Sequence, residues 1–592
     1  MRKLLFILFI PILNYGQEVV PTWHTSDIAL PTQNYVTYDG AQAGDNVSDV
    51  RQYYTYSGAV TFSEAVADAD FEVSAAGMIS VSAGASLSPE KWHLYYVNAT
   101  SGADVELVTC KIRIVGEDSC VFIDPDWSGT ESGTRSEPYN SWRDFSIEAF
   151  TYYFQKRGTT FSNSIGINRC CNYMEDSTIF GPYGTGARPI VDVSGTTYEG
   201  IYIGHEDTCV RVYDYQFVDG KNNMADGYAY DFWYVRCSGS GLSTNNAHFY
   251  SYPSKGLYIE SCDIDGSSST NQIGFKITSE DVEAWNLYSH DEDYISFSLG
   301  PRHLEYPDDL YFNYIYSDGA GTSALEFQGK NIHVNHALLN NPSYAGLWIN
   351  ALETQDDSAS NCDLENFIIM GAGLPGYYGA ITLHSSSFTG YMDDIVIKDG
   401  FIYDSDYRSI WMREEYLSNI LFINVVVDTN DSYTGLQMDG EIASCDSVAL
   451  INCVFRNISD DDVYINDAQA ELTIANSMLT GTLDRDNGTV NLYSSVIEAV
   501  QGTISDSSNV TVNPNTSAFE DYDNGNFYPI TGSSLINSGS ATLYIYDIAG
   551  TERDNPDRGI YEYTPSPTTD TVYFDETRTL INRRIPGWVI IE

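Results

Sequence analysis

Five short segments decide the fold: Leu421-Phe-Ile-Asn424, Leu436-Gln-Met438, Leu450-Ile-Asn452, Val463-Tyr-Ile465 and Leu472-Thr-Ile-Ala-Asn476. Each is the length of a short strand, with apolar residues in alternation. Two kinds interleave, one reading apolar–x–apolar and one closing on asparagine. Asparagine tolerates the left-handed backbone of a tight corner, and its amide can bond the equivalent residue one layer above or below. Two strand types alternating in this way describe the successive sides of a coil.

Working outward, the first type recurs as Ile201-Tyr-Ile203, Phe249-Tyr250, Phe275-Lys-Ile277, Ile295-Ser-Phe297, Leu325-Glu-Phe327, Leu347-Trp-Ile349, Ile381-Thr-Leu383, Ile410-Trp-Met412 and Val490-Asn-Leu492. The second recurs as Ile332-His-Val-Asn335. The spacing of roughly 20–33 residues is that of a solenoid. No helical period competes with it, and one turn has too little apolar surface to fold alone, so stacking supplies the core. The expected fold is a right-handed parallel β-helix of about eleven or more coils. Cys237, Cys262 and Cys453 each follow a strand-like run and read as small core fillers at one recurring position.

Composition agrees. Of 592 residues, 43% are hydrophobic and only 19% charged, with 47 glycines and 46 tyrosines, a mix that favours strands and turns. The chain carries 82 acidic and 29 basic residues, a net charge of −53, which repels nucleic acid. Met1-Arg2-Lys3 and the apolar run Leu4 to Leu13, with Gly16 before Gln17, read as a signal peptide over residues 1–17. No later stretch reaches the roughly 18 apolar residues of a membrane span. The mature chain is expected to be exported, secreted or held at the cell surface, and to work as a monomer rather than as an integral membrane protein. Its ten cysteines are too sparse for a disulfide scaffold.

Two passages resemble a known group. Phe122-Ile-Asp-Pro-Asp-Trp-Ser-Gly-Thr130, Ser136-Glu-Pro-Tyr-Asn-Ser-Trp142, Phe154-Gln-Lys-Arg-Gly-Thr-Thr-Phe161 and Tyr183-Gly-Thr-Gly-Ala-Arg-Pro-Ile190 are similar to the opening coils of secreted pectate-lyase-like β-helix proteins. Asp547-Ile-Ala-Gly-Thr-Glu-Arg553 and Asp557-Arg-Gly-Ile-Tyr-Glu-Tyr563 resemble the closing segment of that group. The resemblance implies a β-helix over residues 120–563. It does not imply one activity, because the group holds lyases, hydrolases, epimerases and proteins without known activity. Phe71-Glu-Val-Ser-Ala-Ala-Gly-Met-Ile-Ser-Val81, Trp92-His-Leu-Tyr-Tyr-Val-Asn-Ala-Thr100 and Cys110-Lys-Ile-Arg-Ile-Val115 resemble a cadherin-like β-sandwich, placed at residues 30–116 as a spacer or adhesion module. Residues 564–592 form a tail without an assigned role.

Alternation then places the residues between the inward apolar ones on the outer face. One column reads Tyr202, Tyr250, Lys276, Ser296, Glu326, Trp348, Thr382, Trp411, Gln437, Tyr464, and a second reads Thr278, Ser298, Gln328, Asn350, His384, Arg413, Asp439, Asn466. Aromatic faces stack on sugar rings and amides bond hydroxyls, so Lys276, Glu326, Trp348, Asn350, Trp411 and Gln437 are candidate polysaccharide contacts. Outward aromatics also suit strands covered by loops, and that alternative stays open.

His384, Arg413 and Asp439 fall on adjacent turns, about 5 Å apart. Eliminative cleavage of a uronic-acid polymer needs a cation against the carboxylate, a base for the α proton and an acid for the leaving oxygen. Arg413 is the expected cation, His384 the base, and Tyr407 or Arg408 the acid. Asp439 with Glu415 or Glu441 offers ligands for a calcium ion. A surface trio linked by hydrogen bonds fits the same residues. A glycoside hydrolase on this scaffold needs two carboxylates about 5–9.5 Å apart, which Glu326 and Asp439 fail and Asp439 with Glu415 satisfies. A non-catalytic glycan-binding adhesin is the third expectation. Lys276 with Arg302 and His303 lies four turns, about 19 Å, from His384, too far to serve the same bond.

Overall fold

The computed structural model describes residues 32–529, apart from 52–59, 168–176, 301–308, 351–357 and shorter stretches. The signal segment, the tail and the motifs at 547–563 lie outside the described residues. The fold is all-β, a parallel β-solenoid of about ten turns preceded by a small sheet region, close to the eleven or more coils expected. Among the described residues there is no α-helix, hence none long and apolar enough to cross a membrane. The chain forms two compact units, one within residues 25–316 and one within 317–592.

The first unit begins with two facing sheets. One has the order Thr32–Tyr38, Asp104–Val115, Lys91–Ser101, Thr61–Glu64; the other Asn46–Asp49, Met78–Val81, Phe71–Val73. Their inner faces close on Tyr35, Phe71, Ile79, Tyr95, Val97 and Ile112. The strand Thr32–Tyr38 is buried on both sides, because Val36 and Tyr38 turn away from that core onto Phe122, Phe154, Ile179 and Tyr213 of the first coils. The region read as a spacer or adhesion module thus shares a core with the first coils.

A buried polar knot reinforces this seam. Arg236, fully buried, donates from Nε to Asp214 (3.2 Å) and Ser48 (3.1 Å), points Nη1 at Glu260 (3.5 Å) and lies over the Tyr35 ring (4.1 Å). Glu260 also accepts from Asn34 (2.8 Å), and Arg157 donates to the Val47 carbonyl (2.7 Å).

Each coil has three parallel strands, as in Met224–Asp226, Tyr230–Val235, Ser238–Leu242, and each strand pairs with its counterpart in the next coil. Inward residues stack: Phe249 on Phe275 at 5.7 Å and Phe275 on Phe297 at 5.2 Å. In residues 317–592 the second and third strands often fuse into one long strand with left-handed corners. His336, Asn366, Asp399, Asn424, Asn452, Asn476 and Ser494 all have positive φ and succeed one another along the coils. Asn424 donates to Asp399 (2.8 Å) and Asn452 to Asn424 (3.2 Å), so the stacked amides of the sequence reading form. The corner beside Asn335 falls one residue later, on His336. Cys237, Cys262 and Cys453 are buried, free, and each follows a left-handed corner.

Three register expectations are corrected. Phe275 pairs with Phe297, so Lys276 stands beside Ser298, not Ser296, and Gly300 takes the place given to Ser298. A short strand, Met224–Asp226, intervenes between Ile201–Ile203 and Ala247–Ser251, missed because Met-Ala-Asp has one large apolar residue. Val490 and Leu492 pair with Leu472 and Ile474 on the second side; the first side is continued by Leu483 and Asp484.

Candidate functional site

Within residues 317–592 the first column stands in register: Glu326, Trp348, Thr382, Trp411, Gln437 and Tyr464, each beside the next. Its exposure is the main correction. Glu326 and Asn350 are 2% exposed, Trp411 6% and Gln437 8%, so this stretch is closed to solvent. Outward direction on a strand does not ensure contact with water when neighbouring side chains pack over it. Tyr378, which the strand pattern could not place because it precedes Gly379–Leu383, packs edge-on against Trp348 (5.4 Å) and Trp411 (6.5 Å) and stacks on Tyr344 (5.3 Å). A half-buried rim remains at Trp348, His384, Tyr407, Arg408, Arg413 and Asp439.

That rim is tightly connected. Trp348 Nε1 donates to the His384 carbonyl (2.8 Å), and His384 Nδ1 meets the Arg413 carbonyl (3.2 Å). A carbonyl only accepts, so Nδ1 carries the proton and the basic lone pair is on Nε2. The imidazole also packs on Trp411 at 5.5 Å. Two guanidinium groups lie against the same indole: Arg408 is 4.8 Å from the Trp411 ring centre and 4.5 Å from that of Tyr407, and Arg413 is 5.8 Å from Trp411. Arg408 Nε donates to Gln437, while its Nη1 is buried without a hydrogen-bond partner. Burial lowers the Arg408 pKa, opposed by the nearby Asp439 carboxylate.

Asp439 sits between two N–H donors. Its Oδ1 accepts from Trp411 Nε1 (2.7 Å) and its Oδ2 from Gln437 Nε2 (2.6 Å). Both oxygens are engaged by N–H donors, and Glu415 and Glu441 lie outside the described residues. Glu326 is likewise occupied, accepting from Asn350 (3.1 Å).

Lys276, in residues 25–316, lies over the Tyr250 ring (4.8 Å); Arg302 and His303 lie outside the described residues. Two other groups bring histidine and carboxylate atoms within 4.8 Å of one another: Asp68, Asp70, His93 and Asp265, His290, Asp291. Neither is on the column, and in both the histidine is hydrogen-bonded to an aspartate, to Asp68 at 2.8 Å and to Asp291 at 3.1 Å.

No family model matches the chain, and no curated protein does. Solved structures similar in fold include the pectate lyase Pel9A (10% identity, 75% of this chain and 96% of that one, TM-score 0.31). The tailspike of E. coli bacteriophage HK620, solved with a pentasaccharide, matches at 11% identity over 62% of this chain and 72% of that one, TM-score 0.39. A fragment of mouse cadherin-23 matches at 18% identity over 15% of this chain and 30% of that one, TM-score 0.14. Likeness at this level concerns the fold alone, and the neighbours' activities do not bear on this chain.

Proposed function

We propose that this is an exported polysaccharide-active protein that cleaves a uronic-acid-containing glycan by β-elimination at the Trp348–Asp439 rim. The observation that carries the reading is the pair of guanidinium groups, Arg408 and Arg413, both packed on Trp411 beside an imidazole whose basic nitrogen is Nε2. In a chain of net charge −53, such a concentration of positive charge is suited to a carboxylate. The guanidinium groups neutralise the uronate and stabilise the enolate that forms when its α proton leaves. His384 Nε2 takes that proton, Trp348 seats the sugar ring, and the Tyr407 hydroxyl protonates the departing oxygen. This arrangement gives the cation role to arginine.

The test is the ultraviolet absorbance of the unsaturated uronate product against a panel of uronans, with and without chelator. We expect a rise that chelator leaves unchanged and that His384→Ala or Arg408→Ala lowers by about 10²–10⁴-fold. Absence of the product with every uronan sinks the elimination reading. The second reading is a non-catalytic glycan-binding protein, for which His384→Ala leaves binding unchanged; the depth at which Trp411 and Gln437 are buried places any sugar contact at the rim rather than on those two side chains.

A further inference from the structure

The hairpin Lys91–Ser101 and Asp104–Val115 has one face in the sandwich core, through Tyr95, Val97, Val108 and Ile112. The other face is formed by alternate residues from Trp92 to Thr100 and from Val105 to Arg113, five from each strand. Four of these are large and exposed: Trp92 52%, Leu94 47%, Val105 60% and Leu107 51%. Large apolar side chains exposed together on one sheet face mark an interaction site more often than chance, here as two pairs at either end with Tyr96 and Thr109 between them. Its charge is equally unusual. None of the ten positions is acidic in a chain with 82 acidic residues, and two, Lys111 and Arg113, are cations. They stand opposite Leu94 and Trp92 in register. Among the described residues neither forms a salt bridge, and Arg113 lies 6.0 Å from the ring centre of Tyr152.

Charge decides the occupant. A second copy would bring another coat of net charge −53 against this one. A thin polymer lying on the face touches Lys111 and Arg113 directly, while at physiological salt charges beyond about 8 Å are largely screened. We propose that this face docks an anionic polysaccharide: Trp92 stacks on a sugar ring, Lys111 and Arg113 pair with its acidic groups, and Asn98 and Thr109 bond hydroxyls. The strands run about 25 Å along the face, length for several sugar units. The proposal shares with the proposed function the reading that the ligand is an anionic glycan, but uses none of the residues of the rim.

Affinity electrophoresis of the full chain carrying His384→Ala, through gels with polygalacturonate, alginate or neutral dextran, tests it without turnover. Retardation is expected in the anionic gels only. Lys111→Ala with Arg113→Ala, and separately Trp92→Ala, should each weaken it about tenfold, with unchanged thermal unfolding and with loss in added salt. Equal retardation of the parent and both variants, or retardation by dextran as strong as by uronans, overturns the proposal. Concentration-dependent dimers abolished by Trp92→Ala, with no retardation in any gel, overturn it in favour of a second copy. If no uronan is cleaved by the protein with His384 intact, the elimination reading fails while this measurement still stands.

Discussion

Asp462 shows what burial does to one side chain. It is 1% exposed; Oδ2 accepts from the Gly481 amide (2.7 Å), and Oδ1 is buried without a partner. Burial pushes its pKa up to about 8, the Gly481 amide opposes the shift, and the Glu498 carboxylate adds to it. An unfolded aspartate titrates near ~4. Between those values the folded chain holds a proton that the unfolded chain has released, so this group's contribution to stability is present below about pH 4 and is lost as pH rises through about 8. Asp462→Asn, which cannot ionise, should therefore melt higher than the parent at alkaline pH, with the gain shrinking toward pH 4. A gain independent of pH would rule out this titration as its source. At the rim, hydrogen bonds rather than titration set the roles: the Arg413 carbonyl fixes the His384 tautomer, and Trp411 with Gln437 takes up the carboxylate of Asp439.

At the scale of elements, the left-handed corners hold the long strands to one register. Asn424 has φ 54°, is fully buried, donates to Asp399 and accepts from Asn452. Asn424→Ala should cost about 2–4 kcal/mol, combining the strained corner with two lost hydrogen bonds. Asn424→Gly keeps the corner and loses only the bonds, so urea unfolding should show it less destabilised than Asn424→Ala. Equal losses would mean that the backbone term is negligible. The asparagines at 424, 452 and 476 were legible because a recurring residue with one steric property betrays a recurring backbone. The strand Met224–Asp226 was not, since three residues with little apolar content leave no alternation to detect.

At the scale of the molecule, the sandwich of residues 32–115 is joined to the first coils by a common core and a charge knot. Arg236→Ala would leave Glu260 buried without its cation, while Asp214 keeps Arg157 and Arg188 nearby, at a cost of about 3–5 kcal/mol. Guanidinium unfolding should show that loss, and limited proteolysis should find the sandwich cut more readily. A change below about 0.5 kcal/mol, as for a surface pair, would show that the knot does not hold the seam.

The sequence by itself determined the parallel coil, the inward turn of most apolar residues, the asparagine corners at 424, 452 and 476, the small buried cysteines and the column from Glu326 to Tyr464. Those follow from period and alternation, which are local properties of the chain. Only the tertiary structure decided that Trp411, Gln437, Glu326 and Asn350 are shut from water, that Asp439 is taken up by two N–H donors, that Arg408 joins Arg413 on one indole, and that Arg236 bridges the sandwich to the coil. Each of these depends on which side chains from distant turns meet on one surface, and alternation gives a side chain its direction but not its neighbours.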